Sequence, residues 1–116
     1  MSDITIYEKR TCSKCRELSV LLAEHGVEAE HVDYHVEGIS EEAIRELLDK
    51  AQITPLDALR MREPLVEELN LLTASDDEIV AAMAEHPQLL QRPIVVRGDR
   101  AVLARPVERV LELLDD

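Results

Sequence analysis

Aromatic residues are almost missing from this 116-residue chain: Tyr7 and Tyr34 make up 2 % of it, with no Trp and no Phe. That excludes the stacking platforms on which single-stranded nucleic acid is held. It also means that the core must be assembled from Leu, Val, Ile, Ala and Met. Glycine and proline are scarce, at 3 and 5 positions, while 46 % of the residues are apolar; fibrous repeats and disorder are both disfavoured. Positive charge is in short supply, with 13 Lys and Arg against 25 Asp and Glu and a formal net charge of −12. Nucleic acid and anionic membrane surfaces are thus poor partners. No apolar run approaches the ~20 residues of a membrane span. Met1-Ser2-Asp3 leads straight into a strand-like run and not a signal peptide, so the expected location is cytoplasmic. Only two cysteines are present, too few for a disulfide scaffold.

What is present fits one domain over residues 1–116. Ile4-Thr5-Ile6-Tyr7 is a β-branched run typical of a buried strand, followed by a polar loop from Glu8 to Thr11. A helix is expected from near Cys12, with Leu18, Leu21, Leu22 and His25 on one face and Gly26 as its cap. Val32, Tyr34 and Val36 alternate with Asp33 and His35, which predicts a second strand over Val32–Val36. The next part reads as helical. Ser40 with Glu41 and Glu42 caps one helix. Thr54-Pro55-Leu56-Asp57 starts a short one toward Leu59, Pro64 opens another through Glu68, and Ser75-Asp76-Asp77-Glu78 is a capping box. Ile94-Val95-Val96 and Ala101-Val102-Leu103 flank Arg97-Gly98-Asp99-Arg100 and predict a tight hairpin. Val107, Val110, Leu111 and Leu114 mark a last helix. The order β-α-β, helices, β-β-α predicts an α/β fold of thioredoxin-like type. It comprises a four-stranded mixed sheet with a helical insertion over about 38–90.

The cysteines lie at the first strand-to-helix junction as Cys12-Ser13-Lys14-Cys15. A thiol at a helix N-terminus sits by unpaired N–H groups and the positive end of the dipole, both of which favour the thiolate. Lys9, Arg10, Lys14 and Arg16 add cations to a chain that is otherwise acidic. Cys12 and Cys15 with His31 and His35 superficially match zinc-finger arithmetic. A finger, however, carries its cysteines on a hairpin and its histidines on a helix. Here the order is reversed, the two pairs are expected at opposite ends of the fold, and no metal is expected. His25 and His86 read as ordinary helix-end residues. Arg60, Arg92 and Arg105 stand out as guanidiniums that could converge on the thiol to form a site for a tetrahedral oxyanion. Arg92 and Arg105 each precede a proline, and Pro93, before the third strand, is the candidate cis-proline facing the cysteines. Singly, each arginine also fits an ordinary surface ion pair.

Together these residues carry a family resemblance. Ile4-Thr5-Ile6-Tyr7 with Cys12, Leu59-Arg60 with Glu63-Pro64, His86-Pro87-Gln88-Leu89-Leu90-Gln91-Arg92-Pro93-Ile94-Val95-Val96, and Arg105-Pro106 resemble the glutaredoxin-coupled arsenate reductase family and its Spx-type relatives. The resemblance spans essentially the whole chain. It implies that Cys12 is the nucleophile toward arsenate and that Arg60, Arg92 and Arg105 bind the oxyanion. Glutathione would be the co-substrate and glutaredoxin the partner that completes reduction, with no bound cofactor. Two departures accompany it. Such reductases often carry a histidine before the cysteine, where this chain has Glu8, and they commonly lack a second cysteine, where this chain has Cys15. A Cys12–Cys15 disulfide, with Cys15 as resolving thiol, therefore comes into view. It also opens the alternative of an Spx-like redox-sensing regulator with RNA polymerase as its protein partner.

Overall fold

The computed structural model describes residues 4–9 and 11–114. Met1-Ser2-Asp3, the Arg10 of the cation cluster, and Asp115 and Asp116 lie outside the described residues. The sheet has four strands in the order β2-β1-β3-β4. β1 (Ile4–Glu8) pairs in parallel with β2 (Glu30–Asp33) and antiparallel with β3 (Ile94–Arg97), which pairs antiparallel with β4 (Arg100–Leu103). This is the mixed, thioredoxin-like sheet expected from the order of elements.

Strand β1 sorts the two cores by alternation, since successive side chains take opposite faces. Ile4 and Ile6 join a cluster with Leu18 and Leu22 of α1 (Ser13–Glu24) and with Val107, Val110 and Leu113. Tyr7 packs on the opposite cluster, built from Ile44, Leu47 and Leu48 of α3 (Glu41–Ala51) and Ile79, Val80 and Met83 of α5 (Asp76–Glu85). Each fully buried aliphatic side chain contributes about 1.5–3 kcal/mol, so a core without Trp or Phe is supplied by number and not by ring size. Glu8 shares the face of Ile4 and Ile6 and is only 5 % exposed. It ends the strand and does not begin a loop.

Several expectations hold in detail. Gly26 takes φ +68° just past α1, Ser75 and Glu78 form a reciprocal capping box, and Arg97 faces Arg100 across a two-residue turn in which Gly98 adopts φ +63°. Among the described residues, no helix is long and apolar enough to cross a membrane.

Three expectations change. The second strand is not Val32–Val36: it ends at Asp33, whose carboxylate accepts a hydrogen bond from the His35 N–H at 3.0 Å. This cap turns Tyr34–Glu37 into a short helix, α2, because a local side-chain bond competes with strand pairing. Thr54 and Asp57 do cap one another, but the chain then forms only turns, because Leu59 leaves to bridge Leu90. The last helix is divided into a 3₁₀ segment, Val107–Val110, and α6 (Leu111–Leu114). The expected helix at Pro64 is present as α4 (Pro64–Glu68).

Tyr34 is fully buried, and its hydroxyl donates to the Leu90 carbonyl at 2.7 Å. Tyr34→Phe should lower unfolding free energy by about 1–2 kcal/mol in urea titrations, since the Leu90 carbonyl is left unpaired. An unchanged midpoint would contradict this.

Candidate active site

Cys12 occupies the N-cap of α1 in extended conformation, φ −75° and ψ 128°. Its carbonyl accepts from the Arg16 N–H at 3.1 Å, while its sulfur faces the first-turn N–H groups. Burial alone would raise the Cys12 pKa. The polar groups around the sulfur, first the Cys15 N–H and thiol, then the Lys14 N–H and the Arg92 guanidinium, outweigh burial, and the net shift is downward from 9.0. Cys15, on the buried side of the same turn, is 1 % exposed. Its pKa is pushed up to about 12, first by burial and then by the Cys12 thiolate and the Glu8 carboxylate, with only the Lys9 backbone N–H opposing. Both cysteines are free thiols. The pair thus divides into one thiol prepared to ionise and one held protonated.

A single strip, residues 89–93, gathers the arginines. The Arg60 N–H donates to the Leu89 carbonyl at 2.7 Å, and the Gln91 N–H donates to the Ala58 carbonyl at 2.9 Å. The Leu59–Leu90 bridge lies between them, bringing Arg60 up to Arg92. On the other side the Ala104 N–H donates to the Pro93 carbonyl at 2.9 Å, extending the β3–β4 hairpin so that Arg105 lies opposite Arg92. Arg105 Nε donates to the Arg92 carbonyl at 2.6 Å. The Arg92–Pro93 peptide is cis, as expected for Pro93, and Arg105–Pro106 is cis as well. Tyr7 pairs with Ile94, so the strip emerges beside the end of β1, where the cysteines follow.

The outcome is a cluster of cations of which Arg92 and Arg60 act electrostatically on Cys12, while Arg105 lies against Arg92. Arg92 is 5 % exposed, and its Nε and Nη1 have no hydrogen-bond partner. Arg60 has its pKa lowered by burial and then by the charges of Arg92 and Arg105, against the pull of Cys12 and Glu63. Its Nε lies 3.8 Å from a Glu63 carboxylate oxygen and makes no hydrogen bond. Like charges in a partly buried site repel by a few kcal/mol, and unpartnered buried donors cost a further ~1–3 kcal/mol each. An anion among these groups would relieve both penalties.

The histidines are not at the far end of the fold. β1 and β2 are parallel, so both finish at the end where α1 begins, and His31 and His35 follow the cysteines there. His31 Nδ1 and a Glu8 carboxylate oxygen form a hydrogen bond of 2.6 Å. His35 has its pKa lowered by burial and by Arg92 and Lys9, and its Nε2 is buried without a partner. Among the described residues, no group of three or more His, Cys, Asp or Glu side chains is arranged to hold a metal. Sequence reasoning overlooked the burial of Glu8, although the alternation Ile4-Ile6-Glu8 carries that signal. Nothing local marks His31 as its partner.

The ArsC family model matches residues 7–113. The chain belongs to the ArsC family. Among its relatives, the arsenate reductase ArsI2 of Synechocystis is 38 % identical over 114 residues, covering 97 % of this chain and 81 % of that protein. A protein of Escherichia coli K12, YfgD, described as uncharacterized, is also 38 % identical, with 96 % of each chain covered. The solved structure of an arsenate reductase from Vibrio cholerae superposes with a TM-score of 0.88 at 39 % identity, over 94 % of this chain and 95 % of that one. This ArsC-family chain is therefore of the arsenate reductase type in sequence and fold, and its relatives support an oxidoreductase.

The split between the two thiols has a direct readout. Iodoacetamide should modify a single cysteine per native chain, Cys12, with a rate–pH midpoint below 9.0. Arg92→Gln should move that midpoint upward, because a hydrogen bond to the thiolate is lost. Equal labelling of both cysteines, or an unshifted midpoint, would contradict the arrangement.

Proposed function

We propose that the chain is an arsenate reductase in which Cys12 is the nucleophile and Arg60, Arg92 and Arg105 bind the oxyanion. The observation that carries this reading is the buried Arg92 guanidinium, which helps to hold the Cys12 pKa down and has two nitrogens left unpartnered. A thiolate attacking an anion must overcome repulsion, and preorganised cations cancel it without reorganising during the reaction. The Cys12 sulfur forms a bond to arsenic while one arsenate oxygen, protonated, departs as water. Glutathione then supplies one reducing thiol and glutaredoxin the second. The two thiols end as a disulfide and their two electrons convert arsenic(V) to arsenic(III); water then breaks the Cys12–arsenic bond, returning the thiol and releasing arsenite.

A second reading, a redox-sensing regulator that presents its Cys12–Cys15 state to RNA polymerase, is favoured by the placing of two free thiols one helical turn apart, each shifting the other's pKa. It gives the unpartnered nitrogens of Arg92 nothing to do, and the enzyme reading comes first for that reason.

Arsenate-dependent oxidation of glutathione in the presence of glutaredoxin tests the proposal. Cys12→Ser should abolish turnover, and Cys15→Ser should retain part of it. Arg60→Ala should lower kcat/KM for arsenate about 30-fold, the equivalent of one charge-assisted hydrogen bond worth about 2 kcal/mol. No arsenate-dependent oxidation by the unaltered protein would sink the reading.

A further inference from the structure

A cleft lies behind the cysteine turn. It has a volume of about 270 Å³ and is lined by Glu8, Cys15, Arg16, Ser19 and His31. Neither Cys12 nor Arg60, Arg92 or Arg105 lines it. It contains a carboxylate that is almost wholly buried at the end of β1 and a thiol that is wholly buried in α1. It also contains an imidazole whose Nδ1 is bonded to that carboxylate and whose side chain is 41 % exposed.

Such an arrangement is costly unless it is used. A carboxylate facing an apolar core and a thiol needs a partner, and the His31 bond supplies one for a single oxygen. The same carboxylate disfavours ionisation of Cys15 by its charge, so its presence is not explained as an aid to a resting thiolate. What it can do is accept the Cys15 proton at the moment of reaction.

We propose that Glu8, hydrogen-bonded to His31, is the proton acceptor that activates Cys15 to attack Cys12 once Cys12 carries an adduct. The proposal rests on the reading of Cys12 as the attacking thiol. In the step, the Cys15 proton passes to the Glu8 carboxylate and on through His31 to solvent. The Cys15 sulfur bonds to the Cys12 sulfur, the bond from Cys12 to its adduct breaks, and the electron pair leaves with the departing group. With arsenic(V) as the adduct, this intramolecular route replaces direct attack by glutathione and glutaredoxin: the two cysteines supply both electrons and arsenic departs as arsenic(III), while Cys15→Ser is left with the external route alone. An external thiol pair then reduces the Cys12–Cys15 disulfide, and the proton returns to Cys15.

Ellman's reagent provides a test that does not involve arsenate. Attack by Cys12 releases one 2-nitro-5-thiobenzoate and leaves a mixed disulfide; attack by Cys15 releases a second. The unaltered protein should release two equivalents and Cys15→Ser one. In Glu8→Gln, the ratio of second to first release rate should fall about 100-fold, the range of a lost general base, and Glu8→Asp should recover part of it. The opposite sign identifies the alternative. If Glu8 acts only as a charge or a brace, its neutralisation eases ionisation of Cys15 and the ratio stays level or rises. That result overturns the proposal, as does release of a single equivalent by the unaltered protein. His31→Gln repeats the test at a partly exposed position, so that a fold defect in Glu8→Gln leaves it decidable; an expected fall of about tenfold supports the relay, and an unchanged ratio overturns it. If the ratio responds as expected while arsenate yields no adduct at Cys12, the substrate assignment fails and the relay stands.

Discussion

The site depends on one expensive placement: a guanidinium, nearly stripped of water, set against a thiol. Burying a cation without full compensation costs several kcal/mol, and Arg92 recovers part of that from the Cys12 sulfur and leaves two nitrogens without partners. The rest of the fold can be understood as the means of holding it. Cys12 is fixed by the cap of α1, and Arg92 by the entry to β3. The two meet because β1 leads to the first and pairs with the second.

Arg60 arrives by backbone pairing to the strip, and Arg105 through its Nε bond to the Arg92 carbonyl; neither is drawn in by the other guanidiniums, which suits groups that repel one another. The strip is tied on three sides: by residues 58–60, by Ala104, and by the Tyr34 hydroxyl. A cation cluster assembled in this way does not rely on its own contacts for stability. Stability comes instead from the aliphatic cores on either face of the sheet, and the electrostatic strain stays local.

Much of this was legible in the residues. Strand-forming runs, caps and the hairpin are local signals, and β1, α1, α3, α5 and the β3–β4 turn follow from them. The family resemblance pointed to Cys12 and the arginines as a set. Illegible elements were those in which a local alternation lost to a side-chain cap, as at Asp33 and His35, or a capped turn lost to a distant bridge, as at Leu59 and Leu90. The histidines were misplaced for a topological reason. Placing them at the far end ignored that parallel strands finish at the same end of the sheet. Glu8 was hidden by its chemistry: a charged residue at the end of an apolar run reads as the start of a loop, although the period of two continues through it.

The poverty in aromatics has one further consequence. With no Trp and no Phe, near-ultraviolet absorption and emission come from two phenols, and Tyr34 is sealed from solvent beside the Arg92 charge. The protein therefore carries a natural optical probe against the Arg92 guanidinium, with Tyr7 the one other phenol. Ligand occupancy and thiol state should register there as spectral changes without any attached dye.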